Sequence, residues 1–212
     1  MPVGEPDRAG AAGPVALFAA TSGHSGVDRV FRNLTAQFDD WGLAVDLLKI
    51  RRHGPDLGAG VYSNVRVIDL RSAHVNSALP ALVRYLRRER PAAMLTDKDR
   101  VNRIAILARR LARVPTRLAV RLGSTMSVNL AGRGVFERWQ QRTSIRRLYP
   151  LADCVLVPSA GVAQDLAQYT GLPRGHIQVL RSPIVTPELR RQALEPVSHP
   201  WLEEGAGVPV VL

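Results

Sequence analysis

The stretch SGHSGVDR, residues 22–29, combines residue types and spacing that suggest chemistry. Gly23 and Gly26 bracket His24 and Ser25, between an apolar run that reaches Thr21 and a helical pattern that starts at Val27. A small glycine-containing turn lets a ligand approach the backbone closely. The helix behind it presents free N–H groups and a partial positive charge. Such a site suits a phosphate or a sugar hydroxyl. It is not the dinucleotide fingerprint, because G-x-G-x-x-G is absent, nor a Walker loop, because G-x-x-x-x-G-K-[ST] is absent. Asp28 in the first helical turn favours the helix dipole, and Arg29 suits a solvated position. His24 reads as an ordinary polar loop residue. No G-x-S-x-G nucleophile elbow occurs.

The surrounding elements must position that turn. Continuously apolar runs at 15–20, 43–49, 65–70, 92–96, 117–122, 154–159 and 176–180 predict seven strands. Between them lie helical patterns. Val27, Val30, Phe31, Leu34, Phe38 and Trp41 share one face; Leu79, Leu82, Val83 and Leu86 mark a helix that stops before Pro91. Val101 to Ala112 give a third helix, residues 134–149 a fourth with Trp139 and Leu148 on its apolar side, and 161–169 a fifth. The loop at 51–60 is rich in Gly and Pro. Apolar strands alternating with helices predict an α/β fold: a Rossmann-like, doubly wound, mostly parallel sheet of about seven strands covered on both faces. Ligands of such sheets bind outside the carboxyl ends of the strands. The turns at 21–28, 97–102, 123–127 and 158–162 are therefore the places where a site is expected.

Composition narrows the classes. The chain has 212 residues, 46% of them hydrophobic, which supports a packed core. Its single cysteine, Cys154, allows no intramolecular disulfide and points to a reducing compartment. No apolar run approaches the roughly 20 residues that span a bilayer, and Glu5 and Asp7 do not suit a signal peptide. There are 29 Lys and Arg against 18 Asp and Glu, a net charge of +11, and Lys49 and Lys98 are the only lysines. Such a balance invites nucleic acid, anionic lipid or phosphorylated substrates, whereas a GC-rich coding bias produces the same excess of arginine. The alternative reading is a nucleic-acid- or polyanion-binding Rossmann-like protein. Against it, no zinc spacing, RNP-like aromatics or helix-turn-helix occurs, and aromatics are only 5%. No nucleic-acid partner is expected.

The order of these pieces resembles the N-terminal domain of the family-four retaining glycosyltransferases, enzymes of the two-domain GT-B fold. SGHSGVDRVFRNLTAQF is similar to the family's Gly-Gly-x-Glu-Arg loop and helix, with Ser25-Gly26 for the paired glycines and Asp28 for the glutamate. LTDKDRVNRIAILARRL resembles the fourth strand, its loop and the next helix. YPLADCVLVPSAGVAQDLAQYTGLPRGHIQVLRSPIV, 149–185, resembles the segment that ends in Asn-Pro-Val before the second domain. The resemblance covers about 15–190. It implies transfer of a sugar, with retention, from a nucleotide-sugar donor to an acceptor hydroxyl on a sugar or a lipid-linked acceptor. It implies no metal and no cofactor, because helix amides and basic side chains carry the diphosphate charge. Gly23, Ser25 and Gly26 would give close backbone approach. Lys98 would meet an anionic acceptor or a phosphate, and Ser124, Thr125 and Ser159 would bond acceptor hydroxyls, Ser159 being equally suited to cap its helix. The catalytic residue is left unassigned.

Three features depart from the family pattern. Gly123 stands where many relatives have the histidine of a Val-His pair, His24 has no counterpart role, and Ser182 replaces the asparagine of Asn-Pro-Val. The family's acidic pair, Glu-x7-Glu, belongs in the donor-side domain. Glu195 and Glu203 have that spacing but fall in a Pro-containing linker. The expected organisation is a leader at 1–13, a Rossmann-like domain at 14–190, and a linker with the start of a truncated second domain at 191–212. This chain is then the acceptor half and inactive alone, its donor held mainly by the missing second domain. The implied location is cytoplasmic, with an anionic membrane surface as a further partner that the charge admits.

Overall fold

The structure, a computed structural model, describes residues 13–196 except 22, 52, 56 and 58–61, and also residue 201. Most of the leader, Glu203 and the terminal GVPVVL lie outside the described residues. The chain divides into two compact units, Met1–Ser182 and Pro183–Leu212. In the second, Thr186 caps a short helix, Pro187–Gln192, by accepting from the Leu189 amide.

The first unit is built on a sheet of β1 (Val15–Ala19), β2 (Val45–Lys49), β3 (Val65–Asp69), β4 (Ala93–Asp97), β5 (Arg117–Arg121), β6 (Cys154–Val157) and β7 (Ile177–Val179). Its order is β3-β2-β1-β4-β5-β6-β7, and every neighbouring pair is parallel. The expected seven-stranded Rossmann-like sheet is therefore present. The strand order reverses between β1 and β4, where such sheets open a crevice. All four turns singled out above leave carboxyl ends of strands and so share one edge.

Helix α1 (Gly26–Asp40) lies on one face, where Val30 and Phe31 pack on Leu17, Ala19, Val45 and Leu47. Helices α2 (Leu79–Glu89), α3 (Asp99–Ala112), α5 (Val135–Leu148) and α6 (Ala160–Thr170) bury Phe18, Leu48, Met94, Leu118, Val120 and Val155 on the other. Coverage is unequal. Leu95, Ala119 and Cys154 share the register row of Leu17, on the face of α1, yet are only half-buried. The expectation of two covered faces holds over β1 and β2 and weakens toward β6.

Two other expectations change. A short helix, α4 (Met126–Leu130), follows β5 directly. On α5 the residue fully buried is Ile145, while Trp139 is 59% exposed and does not serve the core.

Beneath α2, buried Asp46 of β2 accepts the Tyr85 hydroxyl at 2.8 Å and a bidentate pair from Arg66 at 2.8 Å. Burial and the neighbouring Asp46 carboxylate push the Tyr85 phenol far above its usual range, so it stays a neutral donor. Asp46→Ala is expected to cost about 2 kcal/mol in urea unfolding, and Tyr85→Phe about 1 kcal/mol. Arg66 can return to water, whereas the Tyr85 hydroxyl is left without its partner. Equal stability of wild type and Asp46→Ala would contradict this account.

Candidate functional site

The turn after β1 is organised by one carboxylate. Ser25 is the N-cap of α1 in extended conformation, and its hydroxyl accepts from the Asp28 amide at 3.4 Å. Asp28 closes the capping box by accepting the Ser25 amide and hydroxyl, both at 2.6 Å, and the Thr21 hydroxyl. Burial pushes the Asp28 carboxyl up, but these bonds and the Lys98 charge outweigh it and hold the group below its ordinary range. Ser25 therefore shapes the loop; its amide faces Asp28 and is not the open donor expected from sequence. The amides of Gly26 and Val27 have no helical acceptor one turn back and open the helix at the carboxyl edge.

The two glycines differ. Gly23 is buried at φ 93°, a backbone that other residues rarely adopt. Gly26 is exposed, lacks a positive φ, and a Cβ placed there meets nothing within 4 Å. No contact inside the described protein demands glycine at this position.

Across the crevice stands the turn after β4. Asp97 pairs in register with Ala19 on one side and Arg121 on the other. It accepts from Arg121 in a buried ion pair and from the Lys98 amide at 2.7 Å. Lys98 precedes α3 at φ 75° and is exposed, and its charge acts on both Asp28 and Asp97. The first loop and Lys98 are thus brought together, as the topology requires. Burial pushes the Asp97 carboxyl up, against the pull of Arg121. Arg121 also donates to the Ser182 hydroxyl at 2.7 Å, and its Nη1 lies 3.2 Å from where a Cβ of Gly123 would stand.

Ser124, Thr125 and Ser159 sit at the ends of β5 and β6, at the same edge. Ser124 is exposed and its hydroxyl accepts from Asn129 at 2.7 Å. Thr125 is the half-buried N-cap of α4 but makes no side-chain cap bond. Ser159 caps α6 by accepting from the Val162 amide at 3.3 Å, so its structural role is met. Sequence reasoning missed Asp165. This α6 carboxylate accepts the Met126 and Ser127 amides at 2.7 and 3.2 Å and the Ser127 hydroxyl, capping α4 from another element. It also missed Asn102, fully buried, which accepts from Thr96 at 2.7 Å and donates to the Arg121 carbonyl at 2.9 Å and the Tyr149 hydroxyl at 3.1 Å. The Tyr149 hydroxyl in turn donates to the Asp99 carboxylate at 3.0 Å.

A family model described as glycosyl transferase 4-like domain matches residues 25–183, from the cap of α1 to one residue past the first unit. The chain belongs to this glycosyltransferase family. No curated protein matches significantly. Among solved structures, it is similar to the sucrose-phosphate synthase of Thermosynechococcus elongatus, with 15% identity, TM-score 0.60, and coverage of 80% of this chain and 48% of the other. Anabaena HepE in complex with UDP and glucose gives 13%, 0.55, 86% and 50%. A UDP-N-acetylglucosamine 2-epimerase from Rickettsia bellii gives 13%, 0.54, 85% and 47%. These likenesses establish the fold, an α/β Rossmann-like unit of the kind found in GT-B proteins. The chain spans about half the length of each of these structures.

Two outcomes follow from the loop geometry. A carboxyl held below its unfolded value stabilises the fold above that value, near 3.8, and the contribution disappears as pH falls through the lower folded pKa. Asp28→Asn is expected to be less stable than wild type at neutral pH, with the gap closing toward acid in urea melts across a pH series; a constant gap would refute it. In thermal melts, Gly26→Ala should be as stable as wild type or up to about 1 kcal/mol more so. Gly23→Val should lose about 1–3 kcal/mol through its strained φ. Equal effects at the two sites would contradict the assignment.

Proposed function

We propose that this chain is the acceptor-side half of a retaining glycosyltransferase, and that a donor-side domain outside the described residues completes the enzyme. The observation that carries the reading is Gly26: a helix-opening glycine that no contact among the described residues requires, at a helix start whose first amides lack a helical acceptor, at the crevice faced by Lys98. A close-approaching ligand explains it. The half-length match to GT-B structures supports the division of labour, and UDP in HepE supports a nucleotide-sugar donor.

In this reading the Gly26 and Val27 amides and the α1 dipole face the donor diphosphate, on which leaving-group charge develops. Lys98 adds a positive charge at the same edge. Gly23 supplies the turn and Ser25, through Asp28, holds the amides in place. The Ser124, Thr125 and Ser159 hydroxyls would orient acceptor hydroxyls: those of Ser124 and Ser159 can still donate while their oxygens accept, and Thr125 makes no cap bond. Glu195 is exposed and pairs with Arg191, so no donor-site role is assigned to it.

The test uses the chain alone and joined to its donor-side domain, with a panel of nucleotide sugars and acceptors. The chain alone is expected to give no turnover. In the two-domain enzyme, Gly26→Val should lower transfer at least about tenfold, some 1.4 kcal/mol in the barrier, without lowering the melting temperature. His24→Ala should change little. Turnover by the chain alone, or full activity of Gly26→Val, would overturn the proposal.

A further inference from the structure

The helix α5 carries a surface that the candidate site does not use. Val128 of α4 is 70% exposed, Val135 and Phe136 are each 74% exposed, and Trp139 is 59% exposed. The Phe136 and Trp139 rings stack on each other with centroids 6.0 Å apart. With 3.6 residues per turn, the exposed residues Val135, Phe136, Trp139, Arg142, Arg146 and Arg147 fall within one arc of about 140° on α5, which begins about 60° from buried Ile145. That outward side is divided along its length. Its first turn is apolar and aromatic, and its last two turns are arginine. Over 126–148 there are five arginines and one acid, Glu137, which pairs with Arg133.

We infer that this outward side of α5 docks on an anionic lipid bilayer. Phe136 and Trp139 enter the headgroup boundary and Arg142, Arg146 and Arg147 meet lipid phosphates. Charge complementarity selects the occupant: large apolar side chains beside a nearly unopposed row of arginines match an anionic interface. A nucleic acid would use the arginines but not the exposed valines, and the two rings already stack on one another. Topology gives the docking a direction. α4 leaves the carboxyl end of β5, and α5 runs back toward the start of β6, so its apolar turn lies toward the edge that holds Lys98 and Ser124. An acceptor presented at the bilayer surface would therefore meet the candidate site. The inference stands independently of glycosyl transfer.

The test uses the full 212-residue chain with Trp41→Phe and Trp201→Phe, which leaves Trp139 as the sole tryptophan. Vesicles contain phosphatidylcholine alone or mixed with phosphatidylglycerol. With anionic vesicles, Trp139 emission is expected to shift to the blue and to be quenched by brominated acyl chains. Partition should exceed that on neutral vesicles by at least about tenfold and fall with salt. Phe136→Ser with Trp139→Ser, in the chain that keeps Trp41 and Trp201, should lower sedimentation with anionic vesicles about tenfold at unchanged melting temperature. Arg142→Gln, Arg146→Gln and Arg147→Gln together should abolish the anionic preference. Equal partition on both vesicle types, vesicle binding without a Trp139 shift, or undiminished sedimentation of the double variant would overturn the inference. So would a concentration-dependent dimer, or a duplex-DNA complex, lost in the double variant while no vesicle association occurs.

Discussion

The buried ion pair between Asp97 and Arg121 organises the carboxyl edge of the sheet. It joins β4 and β5 in register, beside the β1 end that opens the crevice. A buried pair offsets its desolvation only when its remaining donors and acceptors are also met. Here the Lys98 amide gives Asp97 a second donor, and that bond accompanies the left-handed backbone that opens α3. Arg121 reaches Ser182, the last residue of the first unit, and its own carbonyl receives Asn102. Arg121 thus holds Asp97 and the end of the first unit through its guanidinium, and the floor of α3 through its carbonyl.

The same guanidinium links two departures from the family pattern. By the resemblance drawn from the sequence, Gly123 stands near the histidine of many relatives, and Ser182 at the asparagine of Asn-Pro-Val. A Cβ at Gly123 would press within 3.2 Å of Arg121 Nη1, while the small Ser182 hydroxyl accepts from its Nη2 at 2.7 Å. Both substitutions leave room for, or bond to, the arginine. Both positions border Arg121, although they lie 59 positions apart in sequence.

The fold was legible because buried parallel strands are written as continuous apolar runs, and long helices repeat their apolar faces. What failed to show depended on contacts between distant residues. Helix α4 has five residues and no cap of its own, because Asp165 supplies the carboxylate from α6. Trp139 has a core residue's chemistry but an outward position, and the packing of Ile145 and Leu148, with Gln141 bonded to Asp99, decides which way α5 turns. At the site, the glycines and Ser25 marked the turn correctly. The capping box was hidden in the Ser25–Asp28 spacing, and it changes Ser25 from a ligand-facing amide to a support for its neighbours.

Charge placement explains why composition alone was ambiguous. Some arginines have structural partners: Arg121 with Asp97, Arg66 with Asp46, Arg109 with Asp153 and Arg103 with Asp99. Others close helices, as Arg87 and Arg88 do in α2 and Arg110 in α3, where positive charge complements the negative C-terminal end of the helix dipole. A coding bias toward arginine would be sorted into such places without any ligand. The row on α5 differs because it continues an exposed apolar turn, and helix-dipole pairing supplies no reason for Phe136 and Trp139 to face outward. Net charge gave the sign of a partner; the segregation of arginine from aromatic along one helix gives the kind of surface.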